Sequence, residues 1–147
     1  MNMDASHDQI LLTPDPLELA AAVARVTDAS AGGIAVFLGI TRSENNVDGQ
    51  SLLTLDYDVH PEMARAQLAD LARHARDRWH ISRLAILHRT GCVAVGEPSV
   101  LIAVSTPHRA EAFEACKWLI DTLKAEAAIW KKEIWADGTS TWVHPNL

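Results

Sequence analysis

The chain has 147 residues, the usual length of one globular domain, and its 48% apolar and 22% charged residues exclude a disordered or fibrous protein. Its formal net charge of -6, from 13 basic and 19 acidic residues, argues against binding to nucleic acid or to an anionic membrane. No apolar run approaches the ~20 residues needed to span a bilayer, and the N-terminus carries no cationic leader. We therefore expect a soluble cytoplasmic protein.

Three helices are predicted in chain order. The first begins near Pro14 and Pro16 and ends before Asp28, and the second begins at Pro61 and continues to about residue 79. The third covers about residues 108–127. Four apolar residues recur on one face of this last helix and are expected to be buried there: Phe113, Cys116, Ile120 and Leu123.

Six strands are predicted between and after these helices. Residues 34–40 form a continuous apolar run, and residues 53–57 alternate between apolar and polar, so the two segments are expected to form a hairpin with a long loop. Strands 83–89 and 99–105 are separated by the turn-rich residues 91–98. Residues 130–143 are typical of a terminal hairpin that turns at Asp137 and Gly138.

The order of these elements predicts an α+β fold with mostly antiparallel strands and three main helices, because several connections are too short for crossovers. We find no internal repeats or linkers. The whole chain, residues 1–147, is therefore expected to form a single domain, with residues 1–12 as a candidate disordered segment.

The lysines are unevenly distributed along the chain. All four lie between Lys117 and Lys132. Lys117 is expected to pair with Asp121 on the helix surface, and Lys124 can complement the C-terminus of the helix. Lys124 and Lys131 lie among alanine and tryptophan residues that predict partial burial, and a partly buried lysine needs a chemical reason.

Three further residues are candidate ligands for an anion. His108 and Arg109 stand where a strand ends and the last helix begins, so a phosphate bound there would gain the helix N-terminal amides. The alternative is a capping turn with an exposed arginine. Arg42 follows a buried strand and opens a polar loop, where it is either a substrate-contacting residue or a solvated one. Together with Lys124 and Lys131, these residues describe a pocket for a small phosphorylated or carboxylated ligand.

Cysteine and histidine patterns predict no metal site. Cys92 and Cys116 are 24 residues apart, and the seven histidines show no zinc-ligand spacing. We expect both thiols to be reduced and buried, and no cofactor.

Several linked sequence blocks resemble the large, catalytic subunit of molybdopterin synthase. They are VFLGITR at 36–42, HRTG at 88–91 with GE at 96–97, HRAEAF at 108–113, DTLK at 121–124 and WKKE at 130–133. Their order and spacing cover most of the chain, roughly residues 33–143.

This resemblance implies a hammerhead-type fold and a sulfurtransferase. In that family a homodimer of large subunits binds one small ubiquitin-like subunit at each end, which makes a heterotetramer. The small subunit brings sulfur as a thiocarboxylate on its C-terminal glycine. Two transfers convert cyclic pyranopterin monophosphate into the dithiolene of molybdopterin.

The resemblance also implies residue roles. Lys124 would lie beside the inserted glycine, and Lys131 beside the reacting pterin carbons. The expected substrate-binding residues are Arg42, His108, Arg109, Lys132 and Glu133. Where the family usually has proline, this chain has Ala128, so the approach to Lys131 is expected to be less rigid.

Two other functional classes remain open from the residues. One is a non-catalytic binding module for a phosphorylated metabolite, in which the basic cluster only holds the anion. The other is a hydrolase that uses Cys116 and His108, which the apolar helical position of Cys116 disfavours.

Overall fold

The computed structural model describes residues 5–143, in which eight strands form two sheets and three helices pack against one of them. The elements are β1 (Gln9–Thr13), α1 (Leu19–Val26), β2 (Gly33–Ile40), β3 (Leu52–Val59), α2 (Pro61–Arg78), β4 (Arg83–Arg89), β5 (Gly91–Ala94), β6 (Pro98–Thr106), α3 (Arg109–Glu126), β7 (Ile129–Trp135) and β8 (Ser140–Val143).

The first sheet has the order β1-β4-β6-β2 and is covered by helices on both faces. Its central strands β4 and β6 are buried along nearly their whole length, because alternate side chains serve two different cores. Leu84 and Ile86 pack with α2 and α3, whereas Ala85 and Leu87 pack with Ala22 and other apolar residues on the α1 face. This double cover explains why both strands are continuous apolar runs.

The second sheet has the order β5-β3-β7-β8 and is entirely antiparallel. A small core of Leu52, Leu55 and Trp135 supports it. In the described part of the chain, the one parallel strand pair is β1 with β4, in the first sheet. The prediction of an α+β fold with mostly antiparallel strands and three main helices is confirmed.

The two long helices follow their local sequence signals closely. Pro61 occupies the first turn of α2, and the side chain of His60 caps the helix by accepting a hydrogen bond from the Met63 amide. In α3 the predicted face buries Cys116, Ile120 and Leu123, but Phe113 is wrongly assigned to the core, because its side chain is 67% exposed. Within residues 5–143, no helix is both long and apolar enough to cross a bilayer.

Five further predictions need correction. The strand before Arg42 is not buried, because β2 is an edge of the first sheet and several of its apolar side chains are exposed. β2 and β3 do not form a hairpin, because β2 pairs with β6 while β3 pairs with β5 and β7 in the other sheet. The turn-rich segment after residue 90 contains the short strand β5. Cys92 is exposed rather than buried, because successive side chains of a strand alternate and Cys92 lies on the face of β5 opposite to the buried Val93. Residues 9–12 are not disordered, because backbone pairing with β4 orders them as β1.

The extent of the domain stays a prediction, because residues 1–4 and 144–147 lie outside the described residues.

Candidate active site

Two adjoining cavities lie where the end of α3 meets both sheets. The narrow cavity has a volume of about 160 Å³, and its polar lining includes Tyr57, His88 and Ser99. The wide cavity has a volume of about 330 Å³, and its polar lining includes Arg42 and Glu133. The wall between the two cavities is formed by the five residues that line both: Tyr57, Ser99, Val100, Lys124 and Lys131.

Two lysines from different elements meet at this wall. Lys124 comes from the last turn of α3, and Lys131 comes from β7, where it is paired with Tyr57 of β3. Partial burial lowers the pKa of Lys124, and the positive charge of Lys131 lowers this pKa further. An amine with a lowered pKa can both stabilise negative charge and donate a proton near neutral pH.

A pair of carboxyl groups lies on the other side of the wide cavity. Glu133 is two residues beyond Lys131 on the same face of β7, and Glu44 belongs to the segment that follows β2. Burial raises the pKa of Glu133, the neighbouring Glu44 carboxyl raises it further, and Lys131 opposes both effects. Glu133 is therefore protonated more readily than an ordinary glutamate.

Arg42 stands at the rim of the wide cavity. Its guanidinium Nη2 lies 3.8 Å from Glu44 Oε2, and its side chain is 86% exposed, so it is free to contact an anionic ligand. The neighbouring hydroxyl of Thr41 is buried and has no hydrogen-bond partner in the structure, although Thr41 lines the same cavity. A buried hydroxyl without a partner is costly unless a ligand satisfies it.

The structure does not bring all of the predicted site residues together. Lys132 points to the opposite face of β7, where its Nζ lies 5.3 Å from the centre of the Trp142 ring. His108 and Arg109 are exposed at the start of α3, about 22 Å from Lys124 by the rise of the helix. Within one chain, neither of these two residues lines the lysine cavities.

Five polar residues that line the cavities are not identified as site residues from the sequence: Thr41, Glu44, Tyr57, His88 and Ser99. His88 carried the clearest signal, because it is a histidine inside the apolar run of β4. Tyr57 and Ser99 enter the site through strand pairing between distant segments, which local sequence does not reveal.

The structure also disfavours the alternative of a Cys-His hydrolase. Cys116 is packed in the main core, and burial raises the pKa of its thiol to about 11, so the nucleophilic thiolate is disfavoured. His108 precedes it by about 12 Å along α3. Among residues 5–143, no three His, Cys, Asp or Glu side chains are grouped to hold a metal ion.

Comparison with known proteins identifies the family. The family model described as MoaE protein matches residues 12–126, from β1 to the end of α3. The chain belongs to the MoaE family. Relatives of this MoaE-family chain include the molybdopterin synthase catalytic subunit of Nostoc sp. (strain PCC 7120 / SAG 25.82 / UTEX 2576), with 42% identity over 93% of this chain and 82% of the relative.

Solved structures share the fold of this MoaE-family chain. Molybdopterin synthase from Staphylococcus aureus superposes with a TM-score of 0.84 and 30% identity, covering 96% of this chain and 99% of the other. The protein–protein complex of subunits 1 and 2 of molybdopterin-converting factor from Helicobacter pylori 26695 contains a chain that superposes with a TM-score of 0.75. At 22% identity, covering 94% of this chain and 90% of the other, this second match supports the fold alone.

Proposed function

We propose that this MoaE-family chain is the catalytic subunit of molybdopterin synthase. It would transfer sulfur from the thiocarboxylated C-terminal glycine of a small ubiquitin-like subunit to cyclic pyranopterin monophosphate and form the molybdopterin dithiolene. The observation that carries the proposal is the position of Lys124 and Lys131 at the wall between two adjoining cavities. A reaction between two anionic substrates needs such a shared cationic wall.

The two cavities suit different substrates. The narrow one is lined mainly by apolar side chains, among them Val100, Leu123 and Ile129, and suits a slender peptide tail without charged side chains. The wide one contains Arg42 and the unpartnered hydroxyl of Thr41, which suit a polar ring with a phosphate. The tail and the pterin would therefore meet at Lys124 and Lys131.

The residue types fit the chemistry of two successive steps. The thiocarboxylate sulfur bonds to an oxygen-bearing pterin carbon, and the displaced oxygen leaves after it is protonated. Water then attacks the resulting thioester at its acyl carbon. The tetrahedral oxyanion collapses, the acyl C–S bond breaks, and sulfur remains on the pterin while glycine leaves as a carboxylate. Lys124 and Lys131 would stabilise the oxyanion and supply protons, and Glu133 would accept them.

His108 and Arg109 fit this proposal when a second copy of the chain supplies them. Strand β2 is an edge of the first sheet, and Ile34, Val36 and Ile40 on it are exposed apolar residues. A twofold axis at this edge would run the two β2 strands in opposite directions. The start of α3 of one copy would then approach Arg42 of the other, so that a homodimer completes two phosphate sites within a heterotetramer.

A reconstitution assay tests the proposed function. The purified chain is mixed with the thiocarboxylated small subunit from the same organism and with cyclic pyranopterin monophosphate. We expect molybdopterin to form and two carrier glycines to be released as carboxylate per product. If the pterin binds but the carrier stays thiocarboxylated, the chain is instead a non-catalytic binding module. Lys132 as a substrate ligand and a cytoplasmic location stay predictions from the sequence.

A further inference from the structure

A buried histidine lies in the narrow cavity, and the chemistry proposed above does not use it. His88 is near the end of β4, is only 5% exposed and lines the narrow cavity. Its Nδ1 lies 2.7 Å from the carbonyl oxygen of Arg89. A carbonyl oxygen can only accept a hydrogen bond, so Nδ1 must be the protonated donor, and Nε2 of the neutral ring keeps its lone pair.

This lone pair is available to a ligand. Within residues 5–143, the structure shows no hydrogen-bond partner for Nε2 of His88. Because His88 lines the narrow cavity, a group bound there can reach this nitrogen. The Tyr57 ring contacts the imidazole edge-to-face with centroids 4.9 Å apart, which holds the ring plane in place.

The surroundings keep this ring neutral. Burial lowers the pKa of His88 to about 4, the hydrogen bond to the Arg89 carbonyl opposes that effect, and the charge of Lys124 adds to the lowering. The titratable groups that share the cavity with His88 are Tyr57 of β3, Lys124 of α3 and Lys131 of β7. At neutral pH His88 thus offers a hydrogen-bond acceptor, while both lysines offer cations.

The contrast between an acceptor at His88 and cations at the two lysines predicts how an inserted peptide tail is oriented in the cavity. A thiocarboxylate is anionic and accepts hydrogen bonds, so it is attracted to the lysines and gains nothing from an acceptor nitrogen. A main-chain amide N–H is a donor and has the opposite preference. When an extended tail places its anionic end at the lysine wall, its main-chain N–H groups remain available to donate to His88.

We propose that Nε2 of His88 accepts a hydrogen bond from a main-chain N–H of the inserted tail of the sulfur carrier, and so fixes the depth to which the tail enters. His88 is then a positioning residue for the reaction. The inference rests on the proposed function for the identity of the tail. It assigns no proton transfer to His88.

The test compares two histidine variants with two carriers. His88→Phe keeps a ring but removes the acceptor, and His88→Gln places an amide oxygen near the position of Nε2. Each variant is titrated with the small subunit from the same organism, once with its complete tail and once without its last two residues. We expect His88→Phe to weaken binding of the complete carrier about tenfold, the effect of one buried hydrogen bond, and to leave binding of the shortened carrier unchanged.

His88→Gln should recover most of the lost affinity. Equal weakening for both carriers, or no weakening for either, would overturn the inference, because a general packing defect does not depend on the tail. Nitrogen NMR of the unmutated chain gives a second measurement that does not depend on how the variants fold. The Nε2 resonance of His88 should shift when the complete carrier binds, and an unchanged resonance would also overturn the inference.

The same experiments separate this inference from the proposed function. Tail-dependent binding through His88 without any molybdopterin in the reconstitution assay would contradict the function and leave the inference standing. The opposite outcome is also possible: the chain forms molybdopterin, and His88→Phe changes neither tail binding nor the KM for the carrier. That result would support the proposed function and contradict the inference about His88.

Discussion

Two lysines of the same helix differ in what surrounds them. Lys117 forms a surface pair with Asp121, with Nζ 2.6 Å from Oδ2, as the sequence predicts. Lys124 is two turns further along, and its amino group lies at the cavity wall beside Lys131. The surroundings of each lysine, and not its residue type, therefore make Lys117 a surface residue and Lys124 a candidate catalytic residue.

Replacement of Lys124 should therefore affect chemistry and leave the fold intact. We expect Lys124→Ala to lower the rate of dithiolene formation by about 10²–10³-fold or more, the cost of removing a group that stabilises an oxyanion. Thermal unfolding should be nearly unchanged, because the residue lies outside the core. Lys117→Ala is the matched control and should retain full activity, since an exposed pair contributes little. Normal turnover by Lys124→Ala would refute the assignment.

The charge of Lys131 should be measurable through Lys124. Lys131 lowers the pKa of Lys124, so Lys131→Gln should raise the pKa of Lys124 towards its ordinary value. If the reaction needs protonated Lys124, the pH at which activity falls on the alkaline side should then move to a higher value. NMR of reductively methylated lysines can follow the titration without substrate. Lys117→Gln should leave the Lys124 titration in place. An unchanged Lys124 pKa after loss of Lys131 would show that the two amines do not interact.

At the scale of elements, the entry into β7 depends on a contact with α2. The Ala128 amide donates a hydrogen bond to Gln67 Oε1 at 2.6 Å, and Ala128 is buried. Proline at this position, which the family resemblance leads one to expect, has no N–H and could not form this bond. Here a side chain from α2 thus holds the segment that leads to Lys131.

A double-mutant cycle tests this contact. Gln67→Ala should lower the free energy of unfolding by about 1–3 kcal/mol, because it leaves a buried amide without a partner. In an Ala128→Pro background the same change should cost much less, since the donor is already absent. Urea denaturation measures both steps. Equal costs in the two backgrounds would mean that the hydrogen bond does not contribute to stability.

Whole-molecule architecture separates the predicted phosphate ligands from the lysines. The length of α3 places Arg109 about 22 Å from Lys124, which is too far for one small substrate to touch both. If a second copy of the chain completes the site, each site combines Lys124 of one chain with Arg109 of the other. This prediction of a shared site concerns the dimer and cannot be tested on one protomer.

Mixed dimers decide the point. Lys124→Ala and Arg109→Ala are each expected to be inactive as homodimers. In a dimer with one variant of each kind, one site keeps both residues if they come from different chains, so about half the activity of a wild-type dimer should return. No site is intact if both residues must come from the same chain, and the mixed dimer should then stay inactive. Separately tagged variants, isolated as the mixed species, provide the measurement.

The sequence determined the local features of this chain. The helices and most strands are predicted to within a few residues, because hydrophobic periodicity and helix-start signals such as Pro61 act over a few neighbours. The terminal hairpin follows from Asp137 and Gly138, and the residue blocks indicate the family and single out Lys124 and Lys131 as candidate catalytic residues. The clustering of all four lysines between residues 117 and 132 is likewise a property of the sequence alone.

Tertiary structure decided everything that joins distant segments. β2 and β3 belong to different sheets, and β1 and β5 owe their order to pairing with β4 and β3, which no local pattern encodes. Pairing of Tyr57 with Lys131, and the contact of Tyr57 with His88, assembled the cavities from strands far apart in sequence. The separation of His108 and Arg109 from Lys124, by contrast, follows from the length of the helix predicted over about residues 108–127, because a straight helix keeps its two ends apart. Chemical residue types are local properties, whereas their convergence depends on non-local strand pairing.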